Sequence, residues 1–363
     1  MREKRDEITG LRGLTACFIA YIFHYTELFH TMPEINPVQT AVMGFLARYS
    51  VCMSEVFFMI SGMLLYFSYH SRIAQGHISF RDFMIPKMKK IYPMMMVTAF
   101  VTWALQKKGY ALYGCYILHP EGAQVRNSFK ALLVSLLGLQ TGWISDNDTL
   151  AVNGPSWFIS VFFVCYGIYY GITYLVKKDW QRNLCYGFVV LLGLFLMIRP
   201  LGLPLLYCTS GRGYFSFFVG VLMAQAIARE DEQMRQRRCV QMAVVLVCAI
   251  VLAEALPEVR TLAYVSAFVW PSLVYLVYNQ KVLRRIMGWK PFVWLGNLCM
   301  PIFLWNMATD VAIELGNRLF KLELDYANIW IWMLHIILSL VVAWTADKID
   351  QRTRKGFIHG KTI

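Results

Sequence analysis

Residues 8–25 read ITGLRGLTACFIAYIFHY, an apolar run with one arginine near its start, Arg12, and one histidine deep inside it, His24. Such a run matches the length of about 20 mostly apolar residues that a helix needs to cross a bilayer. If it crosses, His24 sits in a medium that penalises polar groups, and it needs a partner, water or a chemical task. The plain alternative is a hydrogen bond to a neighbouring helix, or a ring that reaches the far interface.

Working outward, the 363-residue chain is 58% hydrophobic and only 16% charged, against about 25% charged residues in soluble proteins. Little room is left for a water-soluble domain. Ten stretches qualify as spans: 8–29, 48–70, 90–106, 157–176, 183–198, 213–228, 239–255, 261–279, 295–315 and 328–346. The expected fold is an all-α, polytopic transmembrane helix bundle forming a single domain over 1–363, with no cleaved leader and with 107–156 as its one long outer loop. Within that loop, Ala131 to Leu139 is too short to span and reads as an amphipathic piece. The net charge of +13 is dealt out in short clusters between apolar runs, which argues against nucleic acid and for membrane topology. With the N-terminus inside, inner segments hold 24 of the 35 Lys and Arg and outer ones 10, which places both termini in the cytoplasm.

None of the nine cysteines has a metal-type CxxC spacing, so they read as small apolar packers and no metal is expected. Cys115 and Cys208 alone fall in outer loops, where a disulfide is open to them. No HxxxD pair, GxSxG elbow or P-loop occurs, which removes support for soluble acyltransferases, hydrolases and nucleotide hydrolysis.

His24 follows Arg12 by 12 residues, about 18 Å along a helix, which puts the imidazole in the outer half of the membrane. The second span runs the other way, and Glu55 reaches the same depth from outside. A carboxylate there is as costly as the histidine unless the two meet each other, water or a substrate, and a carboxylate that orients an imidazole makes it a better base. Glu55 also fits an interfacial acid in contact with headgroups. Elsewhere, His335 reads as a packing histidine in the last span. Asp310 and Glu314 share one helical face and suit acceptor hydroxyls or a span terminus. Asp146, Asp148 and Asn153 close the long loop, as a lid, a sugar platform or a solvated loop.

Four blocks follow in order. Arg12-Gly13 precedes His24, Phe57 to Leu65 reads FFMISGMLL, Lys87-Met-Lys-Lys90 runs into Ile-Tyr-Pro93, and Asn153-Gly-Pro-Ser-Trp157-Phe-Ile-Ser160 opens a later span. Together they resemble the family-3 membrane acyltransferases, among them bacterial O-acetyltransferases of surface polysaccharides, peptidoglycan and lipid-linked sugars. The resemblance implies a bacterial plasma-membrane enzyme that moves an acyl group, acetyl above all, from acyl-CoA to a carbohydrate hydroxyl. It implies His24 as catalytic residue, as general base or acyl-imidazole carrier, and Glu55 at the matching depth is expected to orient it. It implies Arg12, Ser61, Lys87, Lys89 and Lys90 on the donor, and Asn153, Trp157 and Ser160 toward the acceptor. The lysines equally satisfy positive-inside topology and anionic headgroups, and Ser61-Gly62 equally suits helix packing. Beyond lipids and the glycan acceptor, a homo-oligomer is compatible with such a bundle.

This chain departs from the family pattern at three places. Eleven residues instead of ten separate Arg12 from His24, which sets them about 120° apart on an ideal helix. Either Arg12 precedes the regular helix or a π-bulge absorbs the extra residue. Phe162 stands where many members have glutamate, and Phe303-Leu-Trp-Asn306 where many have histidine. The same buried His and Glu also fit a second class, a proton-coupled exporter of a lipid or saccharide.

Overall fold

The protein, described from a computed structural model, is defined over residues 5–33, 37–117, 123–144, 151–253 and 262–359. Helices dominate it. The first is continuous over residues 6–29, as α1 (Asp6–Phe18), a π turn (Ile19–His24) and α2 (Tyr25–Phe29). Then come α3 (Pro37–Ser50), α4 (Ser54–Ala74), α5 (Phe80–Tyr113), the short α6 (Ala123–Arg126) and α7 (Phe129–Leu136), and α8 (Trp157–Leu175). After these, α9 (Asp179–Ile198), α10 (Cys208–Ala228), α11 (Glu232–Ala253) and α12 (Trp270–Asn279) follow. The chain closes with α13 (Lys281–Met287), α14 (Lys290–Asn297), α15 (Cys299–Phe320) and α16 (Ile329–His359). The only extended pairing among the described residues is one isolated bridge, Leu203 to Leu206.

Over the described residues each expected span falls mainly on helix, with breaks at 51–53 and at Leu298. Five helices meet a strict test of length and apolarity, and up to seven do if each bent pair is one span. The two bent pairs are residues 42–50 with α4, at 54°, and α14 with α15, at 65°. Local chemistry sets several boundaries. Ser79 caps α5 by accepting from the Asp82 amide at 3.1 Å, and Gly114 ends it in the left-handed region at φ 70°. Ser128 likewise caps α7, whose Ala131, Leu132 and Ser135 are buried.

The centre of the bundle is the crossing of α4 and α10. A Cβ on Gly62 would run into the Phe217 carbonyl, and one on Gly220 into the Met59 carbonyl. Only hydrogen at both positions lets the two backbones touch, as small residues do in membrane helix pairs. Outside this core, α11 presents Val240, Val244, Val247 and Val251, each more than half exposed. Such a bare apolar ridge is tolerable against lipid and not against water. The bundle has a basic end, where Arg5 stacks on Tyr278 and Arg354 reaches the Lys90 carbonyl.

Candidate active site

The π turn over Ile19–His24 decides how the first helix presents its polar residues. It absorbs one residue more than an α-helix does, so the step from Arg12 to His24 counts as about eleven α positions, or about 20° of rotation instead of about 120°. Arg12 lies inside regular helix. Of the two ways to accommodate the extra residue, the chain uses the π turn, and it brings Arg12 and His24 onto one face.

Asn306 on α15 holds the turn in place. Its Nδ2 donates to the Ala20 carbonyl at 3.2 Å, and its Oδ1 lies 2.7 Å from His24 Nδ1. A carbonyl needs a donor, so the amide nitrogen must face Ala20 and the amide oxygen the imidazole. That oxygen can only accept, which puts the ring proton on Nδ1 and leaves the Nε2 lone pair free. The ring borders a cavity of about 360 Å³ whose wall also includes Ser50, Ser54, Arg126, Trp157, Thr209 and Arg212. His24 thus holds an Nδ1 proton against Asn306, and its other ring nitrogen, Nε2, has no partner among the described residues beside the cavity.

Glu55 is not the group that orients His24. It is fully buried and paired with Arg212: Nε lies 2.5 Å from Oε1 and Nη2 3.1 Å from Oε2, while Ser54 donates to Oε2 at 2.9 Å. A guanidinium fork matches both carboxylate oxygens and keeps its charge, so it outcompetes a neutral imidazole for a buried acid. Arg212 Nη2 also reaches the Val51 carbonyl and Ser54 Oγ, both at 2.7 Å. Its remaining nitrogen, Nη1, has no partner among the described residues. The guanidinium lies 4.8 Å from the centre of the Trp157 ring, in cation–π geometry.

Of the three residues expected toward an acceptor, Trp157 alone lines the cavity. Asn153 is fully buried and donates to the Leu304 carbonyl at 2.8 Å, which ties the turn before α8 to α15. Ser160 is fully buried too, and its carbonyl accepts from Trp143 Nε1 at 3.3 Å. Asp146 and Asp148 lie outside the described residues. Asp310 is closed off from any acceptor, with Oδ1 2.5 Å from His335 Nε2 in a fully buried pair. Glu314 is held by Arg318, Tyr326 and Asn317. No disulfide joins Cys115 to Cys208, so the pairing open to them is not formed.

The five residues expected on the donor divide. Lys87 turns inward, its Nζ 2.7 Å from the Phe83 carbonyl, 4.0 Å from the Tyr69 ring centre and 5.9 Å from that of Tyr166. Burial there, ahead of the span that begins near Lys90, pushes its ammonium down to about 8. Arg12 lies within electrostatic reach of the same Tyr166, and its buried Nε has no partner among the described residues. Lys89 and Lys90 are exposed at the basic end, and Ser61 is half-buried on α4. From Tyr166 an unbroken aromatic seam leads to the cavity: Phe162 at 5.2 Å, Phe158 at 5.2 Å, Phe303 at 4.5 Å and His24 at 6.3 Å. Phe162, which stands in place of the acid, also stacks on Phe58 at 4.8 Å. The departures at Phe162 and Phe303 are therefore accommodated together, as one apolar contact set.

Arg212, Arg126 and Asn306 were not singled out from the sequence as site residues. Arg212 carried a signal, as a lone arginine opening an otherwise apolar helix. Asn306 is a single amide in an apolar span, and Arg126 one basic residue in a long loop. A family model described as an acyltransferase domain matches residues 5–348. Comparison with curated proteins and with solved structures gave no match.

Proposed function

The chain belongs to the family-3 acyltransferases, which makes it a membrane O-acyltransferase, and from that premise we propose that it moves an acetyl group from acyl-CoA to a hydroxyl of a cell-surface or lipid-linked carbohydrate. The observation that carries this reading is the free Nε2 of His24 beside a cavity, with its tautomer set by Asn306. The acceptor hydroxyl gives its proton to Nε2 while its oxygen attacks the thioester carbonyl. The carbon–sulfur bond then breaks and the imidazolium returns the proton to the departing thiolate, so no net proton is consumed. Arg212, fixed by Glu55 and with Nη1 unspent, supplies the donor for the oxyanion that develops on the carbonyl.

The donor's phosphates belong at the basic end, with Arg12 and Lys87 around Tyr166 and with Lys89 and Lys90 at the surface. Its acyl arm follows the aromatic seam toward His24, about 18 Å from Arg12 along the helix. The basic end is cytoplasmic in this reading, and the membrane is a bacterial plasma membrane.

The test is transfer of labelled acetyl from acetyl-CoA to carbohydrate acceptors by the protein in vesicles. His24→Ala is expected to lower the rate by at least about 10²-fold, the scale of a lost general base. Transfer by His24→Ala at the wild-type rate sinks the assignment.

A further inference from the structure

Among the described residues, the wall of the cavity beside His24 holds two cations, Arg126 and Arg212, and no carboxylate. Arg212 is neutralised from behind by Glu55. Arg126 is not. It ends the short helix α6, it is half-buried, and among the described residues no carboxylate or hydrogen-bond acceptor meets its guanidinium. Arginine keeps its charge at any accessible pH, and a partly desolvated charge without a partner is costly. The described wall therefore carries one positive charge in excess, held on a side chain built to grip carboxylate or phosphate with two parallel hydrogen bonds.

On the reading proposed above, the donor's phosphates lie at the other end of the bundle, so they cannot be the anion that Arg126 meets. The geometry points to an acceptor that carries an anionic group, a carboxylate or a phosphate, close to the hydroxyl that is acylated. Arg126 grips that group and sets the hydroxyl against Nε2. A neutral glycan leaves Arg126 without an anion, and the enzyme discriminates against it for that reason.

This inference rests on the proposed acyl transfer, and the test separates the two. Glucuronic acid, glucose 1-phosphate and glucose share a skeleton and differ in the anion. Wild-type protein is expected to bind at least one of the two charged sugars about tenfold more tightly than glucose, measured by equilibrium dialysis of the full chain in detergent without donor. In Arg126→Gln that preference falls toward one, and in Arg126→Lys, which keeps the charge, part of it returns. The kcat/KM ratio for acetyl transfer, charged over neutral, is expected to follow the same order. Preference for glucuronic acid identifies a carboxylate-bearing acceptor, and preference for glucose 1-phosphate a phosphate-bearing one. Equal binding of all three sugars by wild type, or a preference that survives in Arg126→Gln, overturns the inference. Arg126-dependent binding with no acetyl moved to any acceptor leaves it standing and overturns acyl transfer instead. Retained glucose binding in the variants shows that they are folded.

Discussion

Replacing Asn306 by alanine removes a side chain that hydrogen-bonds both the π turn and the imidazole. The wild-type amide joins the Ala20 carbonyl at 3.2 Å and His24 Nδ1 at 2.7 Å. Without it both lose their partner in the interior, at about 1–3 kcal/mol each. For the chemistry, the relevant loss is the bond that keeps the proton on Nδ1 and Nε2 facing the cavity. At about 1.4 kcal/mol per tenfold in rate, kcat falls about 10- to 100-fold. Because Asn306 touches neither substrate in this scheme, the KM of donor and acceptor changes little. Asn306→Asp keeps an acceptor for Nδ1–H but gives up the donor to Ala20, so its kcat lies between wild type and Asn306→Ala. The assay is initial-rate transfer from acetyl-CoA by purified protein in vesicles, with a thermal unfolding midpoint recorded for each variant. An Asn306→Ala kcat within threefold of wild type refutes the reasoning.

Glu55→Gln strands the Arg212 guanidinium, and unfolding in detergent is expected to show a loss of about 3–5 kcal/mol, as for a broken buried pair. The double change with Arg212→Gln recovers part of it. Gly62→Ala drives a methyl into the Phe217 carbonyl and is expected to cost about 1–3 kcal/mol by overpacking, read as a lower midpoint, while Gly44→Ala, where a Cβ meets nothing within 4 Å, leaves the midpoint unchanged. Burial holds Lys87 at about 8, so its charge is present below that pH and lost as pH rises through it. If it grips donor phosphate, donor KM climbs above pH 8 in wild type and stays flat in Lys87→Arg, as a pH series of initial rates would show.

The fold was legible because a bilayer leaves few options: each apolar run long enough to cross becomes helix, since its backbone groups have no other partners there. What the runs did not reveal was bending. Residues 42–50 turn 54° from α4, and a hydropathy reading merges such pieces because it sees composition and not direction. At the site, His24 stood out as a polar residue in an apolar run, but its partner did not. Depth matched Glu55 to the histidine, whereas the angular position around each helix decides which side chains meet, and Arg212 was the better partner for a buried carboxylate. Asn153 and Ser160 show the same limit. Their motif was recognisable, yet their side chains serve the packing of the α8 entry and not the cavity.

The extra residue between Arg12 and His24 looked at first like a weakness of the family assignment, and the structure turns it into a constraint. An α-helix through residues 19–24 would separate the two side chains by about 120°, so no single substrate lying along the helix could meet both. The π turn restores their common face, and a carbonyl inside that same turn, from Ala20, receives the Asn306 amide whose other end fixes the imidazole. The asparagine at 306 and the extra residue in the first helix are thereby coupled: Asn306 needs the Ala20 carbonyl to fix its own orientation, and His24 needs Asn306 to fix its tautomer. A chain that kept the extra residue without the amide, or the amide without the turn, would hold a histidine at the right depth with its basic nitrogen free to point either way.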